Sequence, residues 1–202
     1  YLAVGQQLAA VICISDPLRA EARDVLSALR ALGISQTVML TGDSRRTAAA
    51  NASEVGVDTF RAEVLPADKA QFIAELRAAS HTVLMVGDGI NDSPALSEAD
   101  AGIAIRDGAA IAREIADITL SAESLWELVK LRQIAVGLMA RIRSNYRFVI
   151  GFNGTLIALG VAGILSPAAS AALHNLSTLG VSLRSMQSLP KPQTALPDTE
   201  NT

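Results

Sequence analysis

The stretch TVLMVGDGINDSPAL, Thr82 to Leu96, decides how the rest of the chain is read. Thr82 to Val86 is a short run with no polar alternation, as expected of a strand buried on both faces. Gly87-Asp88-Gly89 ends it, and a helix near Ser93 to Ala99 comes next. Asp88 and Asp92 flank the glycine turn, and Asn91 lies between them. Hard carboxylate oxygens clustered in this way suit Mg²⁺, and the amide adds a further contact. Asp, Asn and Gly are also ordinary turn and cap residues. That role alone does not account for two acids and an amide at the mouth of a core strand.

Working outward, the same grammar repeats. Upstream, a strand over Thr37 to Thr41 ends at Gly42-Asp43, and a helix runs from about Ser44 to Val55 and stops at Gly56. A hydroxyl and backbone amides at such a turn can hold phosphate oxygens. Pro66 opens a helix over about Ala67 to Ala79 that carries Lys69, whose ammonium suits a transferring phosphoryl group. Before these, Ser15-Asp16-Pro17 opens a helix with Leu18, Ala22, Val25, Leu26, Leu29 and Leu32 at helical spacing. YLAV, Gly5-Gln6 and QLAAVICI read as strand, turn and strand. Downstream come a strand at Gly102 to Ile105, a helix around Ala109 to Ala116 and a strand at Ile118 to Leu120. Strands alternating with helices predict an α/β fold, a Rossmann-like parallel sheet with helices on both faces. Chemistry in such sheets gathers at the carboxyl ends of the strands. Those ends carry Asp16, Thr41-Gly42-Asp43 and Asp88-Gly89.

The character changes after about Ala122. A helix with mixed charges leads to Arg141, Arg143 and Arg147, and from Phe148 to Leu183 there is no Asp, Glu, Lys or Arg. Ser166-Pro167 divides this uncharged stretch. Each half approaches the ~20 residues a membrane helix needs. The expectation is a two-helix transmembrane hairpin, about 145–165 and 167–183, with both ends cytoplasmic because basic residues flank it. A buried helical hairpin of a water-soluble protein is the alternative. The tail from Ser188 is polar and proline-rich and is expected to be disordered. Over the 202 residues, 50% are hydrophobic and 18% charged, with a net charge of -3 and no basic run. That composition gives no reason to expect a nucleic-acid partner. The single cysteine, Cys13, sits in an apolar run and reads as a small buried hydrophobe. The chain opens at Tyr1 within the hairpin pattern, so a fragment of a longer protein is expected.

Taken together, these motifs resemble the P-type ATPases of the haloacid dehalogenase-like superfamily, over about Ala10 to Leu183. GDGINDSPALSEADAGIAI resembles their hinge segment, MLTGDSRRTAAANASEVGV their TGD segment and LPADKA their phosphate-lysine segment. DPLRAEA, Asp16 to Ala22, resembles the start of the second half of their phosphorylation domain. The resemblance implies that residues 1–14 hold the end of the nucleotide-binding domain and the first strand of the phosphorylation-domain remainder. It implies a phosphorylation domain over 15–121, then a linker helix and the two membrane helices over 122–187, and a tail over 188–202. By motif, Asp88 and Asp92 would coordinate Mg²⁺, with Asn91 in support. Lys69 and Thr41 would bind an aspartyl-phosphate. Gly42 and Asp43 would lie near the nucleotide phosphates and the hydrolytic step. Asp16 would line the same pocket, and Gly89 and Asn91 would border bound ATP. The family's nucleophile lies in a DKTGT segment, which this sequence lacks. The chain is therefore expected to be inactive alone and to depend on an N-terminal portion of the pump. The implied partners are ATP, a transition-metal cation and membrane lipid, with the phosphoryl-transfer domain facing the cytoplasm from the plasma (inner) membrane.

Only two membrane helices after the phosphorylation domain resembles the heavy-metal branch. Copper pumps of that branch have a YN motif and an MxxSS motif in these helices. The counterparts here are Phe152-Asn153 and His174-Asn175-Leu176-Ser177-Thr178. Imidazole replaces the soft thioether, nearer to the His-containing pattern of cobalt-type pumps. Asn153, His174, Ser177 and Thr178 are the candidate ligands for a borderline divalent ion. His174 as an interhelical hydrogen-bonding residue is the alternative. For the chain itself, the alternatives are a soluble phosphatase of the phosphoserine-phosphatase kind and a non-catalytic membrane-anchored remnant.

Overall fold

The computed structural model describes residues 2–5, 7–11, 17–87, 90–105, 114–120 and 124–189. The chain divides into two units, Tyr1–Leu125 and Trp126–Thr202.

The first unit is mixed α/β. β1 (Leu2–Val4) and β2 (Gln7–Ala10) form an antiparallel hairpin, with Gly5 at φ 65° in its turn. Then come α1 (Ala22–Ala31), β3 (Val38–Leu40), α2 (Arg45–Val55), β4 (Thr59–Arg61) and α3 (Pro66–Ala78). After them lie β5 (Leu84–Gly87), a 3₁₀ turn (Ile90–Asp92), α4 (Ser93–Glu98), β6 (Ala101–Ile105) and β7 (Ile118–Leu120). β3 pairs with β4, β5 with β6 and β6 with β7, all parallel. The expected parallel strands and covering helices are therefore present, in one two-stranded and one three-stranded piece.

Local chemistry accounts for the element ends. Ser44 caps α2 by accepting the Thr47 N–H, and Gly56 closes it in the left-handed region at φ 80°. Pro66 takes the first position of α3, and the Asp68 carboxylate accepts the Leu65 N–H at 3.2 Å. The fully buried side chains include Val25 of α1, Ile73 of α3, Leu96 of α4 and Ile103 of β6. Ala48 and Ala52 of α2, one turn apart, are also buried.

Each parallel pairing is locked at its amino end by an aspartate. Asp58 precedes β4 and accepts the N–H of Thr37, just before β3, at 2.7 Å. Asp100 precedes β6 and accepts from Val83, just before β5, at 2.8 Å. Asp117 precedes β7 and accepts from Gly102 of β6 at 2.8 Å. These are backbone donors that the ladder itself leaves without a partner.

Several expectations shift. α1 starts at Ala22, not at Pro17, because the chain first makes a turn in which the Ala22 N–H bonds to Arg19 O at 3.0 Å. β4 was not expected: Thr-Phe-Arg is too short and too polar to announce a strand, and pairing with β3 creates it. Most of the helix expected over 109–116 lies outside the described residues.

In the second unit, α5 (Trp126–Val161) and α6 (Pro167–Met186) pack together. The expected linker helix and first span are one continuous helix of 36 residues, because no proline interrupts Trp126 to Val161. The break falls where Ser166-Pro167 predicts it, with Ser166 capping α6 and Gly163 at φ 71°. Among the described residues no helix is long and apolar enough to cross a membrane. Asn145, Tyr146 and Arg147 at one end, Asn153 midway, and His174, Asn175 and Arg184 in α6 dilute the apolar stretch. At the base of the hairpin Asn145 Nδ2 donates to Ser185 Oγ at 2.9 Å. The Arg141 guanidinium donates to the carbonyls of Gln187 and Ser188, just past the end of α6.

Candidate phosphoryl-transfer site and hairpin pocket

The Lys69 side chain leaves the first turn of α3 and meets the Asp92 carboxylate at the start of α4, Nζ to Oδ1 2.7 Å. Both side chains are only 13% exposed. α3 packs against α4, so helix packing sets this distance. Asp92 is seated against the end of β5: a Cβ on Gly87 would lie 2.7 Å from Asp92 Cβ and 2.9 Å from its Oδ2. Likewise a Cβ on Gly102 would lie 2.6 Å from the Leu96 carbonyl oxygen, so glycine lets α4 sit close on β6.

The TGD turn is the second half of the site. Thr41 Oγ1 donates to Asp43 Oδ2 at 2.9 Å and accepts from the Asp43 N–H at 3.1 Å. The turn is tied to the segment that leads into α3. Thr41 N–H bonds to Arg61 O, Glu63 N–H to Asp43 O and Val64 N–H to Thr41 O, at 3.0, 2.9 and 3.1 Å. Glu63 takes φ 57° to make this path. Thr41 and Lys69 are thus joined through one short, hydrogen-bonded loop, although the two polar pairs do not touch.

Asp16, Asp88 and Gly89 lie outside the described residues. Asn91 is exposed in the 3₁₀ turn. Among the described residues no group of three or more His, Cys, Asp or Glu side chains could hold a metal ion, and Asp92 keeps one oxygen beyond its ammonium contact. A further polar atom waits there. The Ser93 hydroxyl, next to Asp92 in the chain and 7% exposed, has no hydrogen-bond partner among the described residues. Nothing in the sequence marks Ser93, because its hydroxyl matters only once it is buried.

In the hairpin, His174 Nδ1 lies 3.0 Å from Asn153 Oδ1. Both residues line an open pocket of about 550 Å³ with Leu156, Ile157, Pro167, Ser170 and Ala171. Ser177 and Thr178, expected beside His174, instead donate to its main-chain carbonyl at 2.8 and 3.1 Å. A larger groove, about 790 Å³, runs along β4 and α3, with Arg61 stacked over Phe72 at 4.5 Å. Neither Thr41, Lys69 nor Asp92 lines it.

A family profile described as haloacid dehalogenase-like hydrolase matches residues 1–100. A manganese-exporting P-type ATPase of Mycobacterium leprae is 42% identical over 180 residues, 89% of this chain and 25% of that protein. A zinc-exporting P-type ATPase of Mycobacterium marinum is 42% identical over 181 residues, with the same coverage. A crystal structure of a zinc-transporting PIB-type ATPase in its E2.Pi state superposes with a TM-score of 0.78 at 36% identity, over 84% of this chain and 28% of that one. Over most of its length the chain is similar to heavy-metal P-type ATPases. It spans about a quarter of the length of the curated relatives it matches. A manganese exporter and a zinc exporter match it equally well, so overall identity does not select the ion. The Lys69–Asp92 pair and the Thr41–Asp43 turn are the two described pieces of the expected phosphoryl site.

Proposed function

We propose that this chain is part of an ATP-driven pump that moves a heavy-metal cation across a membrane through an aspartyl-phosphate. The observation that carries it is the Lys69–Asp92 ion pair beside the end of β5, with the TGD turn tied to the loop that positions Lys69. Lys69 and the Thr41 hydroxyl hold the phosphoryl oxygens and stabilise the charge that develops during transfer. Asp88 and Asp92 hold Mg²⁺ with Asn91 in support, and the bound cation neutralises phosphate charge. Gly42 and Asp43 face the nucleotide phosphates and the hydrolytic water, Gly89 and Asn91 border the nucleotide, and Asp16 borders the same space.

The nucleophilic aspartate comes from a segment outside these 202 residues, since no DKTGT run occurs in them. The topology supports this. Among the described residues, β3 and β5 each have a strand partner on one side only, and each leads into a site-bearing turn. One further strand between them would join the two parallel pieces and deliver a residue to the gap between Thr41 and Asp92.

The hairpin sits in lipid among other helices of the pump, with the phosphoryl-transfer unit in the cytoplasm. Ile157, Val161, Ile164, Leu176, Leu179 and Leu183 are all exposed on it. The hydroxyls of Thr155, Ser177, Thr178, Ser182 and Ser185 all donate to carbonyls three or four residues earlier. Such back-bonding satisfies hydroxyls where water is absent. Asn153 and His174 then face the transported ion.

Incubation with γ-labelled ATP and Mg²⁺ tests the reading. The full-length pump takes acid-stable, hydroxylamine-sensitive label, and the 202-residue chain alone takes none. Label on the chain alone sinks the placement of the nucleophile. An unlabelled full-length pump sinks the reading.

A further inference from the structure

Midway along the hairpin, the contact between α5 and α6 is polar. Asn153 Oδ1 lies 3.0 Å from His174 Nδ1. A carboxamide oxygen has lone pairs and no hydrogen, so it accepts, and Nδ1 is the donor. A neutral imidazole carries a single N–H. With that hydrogen at Nδ1, the lone pair is at Nε2. Asn153 Oδ1 keeps a second lone pair beyond this bond, but the bond already commits that oxygen to orienting the ring, and the amide nitrogen has no lone pair to give a cation. Ser177 and Thr178 both donate their hydroxyl hydrogens to the His174 carbonyl, which steadies the turn of α6 that carries the ring.

We propose that Asn153 is a positioning residue that holds His174 in the Nδ1–H tautomer, so that Nε2 is the nitrogen offered to a divalent cation. This rests on the transport reading above and narrows it: His174 ligates, and Asn153, Ser177 and Thr178 orient. Metal-bound histidines commonly hand their other N–H to an oxygen acceptor, which fixes tautomer and ring orientation. Among the described residues lining the pocket, imidazole is the strongest metal ligand, and imidazole suits borderline ions such as Zn²⁺, the probe used below.

The chain has two histidines, His81 and His174. Labelling the full 202-residue chain carrying His81→Gln with ¹⁵N-histidine therefore reports His174 alone. The spectrum is read in detergent micelles at alkaline pH. The expected result is an Nδ1–H imidazole, with added Zn²⁺ shifting Nε2. Asn153→Ala moves the hydrogen toward Nε2, and Asn153→Asp, which keeps an oxygen acceptor, leaves it at Nδ1. In the full-length pump Asn153→Ala raises the Zn²⁺ concentration for half-maximal ATPase about 10–100-fold. The loss is larger in half-saturation than in kcat, and Asn153→Asp recovers part of it. An Nε2–H imidazole in the chain with native Asn153, Zn²⁺ bound through Nδ1, or unchanged half-saturation in Asn153→Ala overturns the proposal. If the tautomer and Zn²⁺ results hold while the full-length pump shows no metal-stimulated turnover, the transport reading falls and the positioning role stands.

Discussion

Gly87, Gly42 and Lys69 probe the proposed phosphoryl site in three different ways. Gly87 allows Asp92 to lie against the end of β5, where any side chain would meet it at 2.7 Å. Gly87→Ala is therefore expected to push the carboxylate off Lys69 and to destabilise the unit by about 1–3 kcal/mol, read as a lower urea midpoint. Gly42 is the contrast, because a Cβ there has nothing nearer than 3.8 Å and its φ is not positive. Gly42→Ala should leave stability within about 0.5 kcal/mol of the parent. If the pump then loses ATPase activity, the cause is obstructed phosphate approach and not misfolding. Lys69→Met keeps most of the stem that packs α3 and removes only the charge. Phosphoenzyme formation in the full-length pump should fall about 10²- to 10³-fold, as when one stabilising donor is lost from a transition state. A rate within threefold of the parent in a quench-flow labelling assay, where about 10-fold corresponds to 1.4 kcal/mol, would remove Lys69 from the site.

Among strands and helices, aspartates do the aligning. Asp58 accepts both the N–H and the hydroxyl of Thr37, at 2.7 and 2.6 Å, and pairs with Arg30 at 3.1 Å. The Thr37 hydrogen bonds first, and then the Arg30 guanidinium, hold its carboxyl below the ordinary carboxylate range. The folded state thus gives up this proton more readily than the unfolded chain, whose Asp titrates near about 3.9. The stabilisation is complete above that value and is lost as pH falls through the lower folded value. Asp58→Asn should accordingly lower the urea midpoint at pH 6, and the gap from the parent should close toward pH 3. A gap that stays constant with pH would show that the carboxylate charge is not involved. Asp117→Ala removes a half-buried bond to Gly102 and should cost about 1–2 kcal/mol. These bonds also explain why β4 escapes notice as a sequence. A three-residue strand has little pattern of its own and exists because Asp58 and β3 place it.

At the scale of the whole molecule, each unit presents edges or faces that no described residue covers. The first offers two parallel pieces in which, among the described residues, β3 and β5 each lack a partner on one side. The second offers an apolar hairpin tied by polar bonds at its base and by Asn153–His174 midway. Expressed in bacteria, the 202-residue chain should sediment with membranes and resist alkaline carbonate, leaving only in detergent. Recovery in the carbonate supernatant would place the hairpin outside lipid. Among the described residues the individual helices fall short of spanning character, diluted by polar and charged residues at their ends and midway. Asn153, His174 and Asn175 are among the residues that lower the mean hydropathy, and polar groups at such positions are costly unless they have a partner.

From its residues alone, the chain announced a parallel α/β unit, the turn after β3, the helix that Pro66 opens, and a proline-broken helical pair. Each of these is written in local chemistry: apolar periodicity, turn residues after buried strands, and a proline that ends a helix. Other features had no local signal: Asp92 rather than solvent facing Lys69, the burial of the Ser93 hydroxyl, β4, and the turning of Ser177 and Thr178 onto a carbonyl. Those depend on which surfaces pack together and how closely. A hydrogen bond between residues 21 or 23 positions apart, such as Asn153–His174 or Lys69–Asp92, is a property of packing and leaves no period to read.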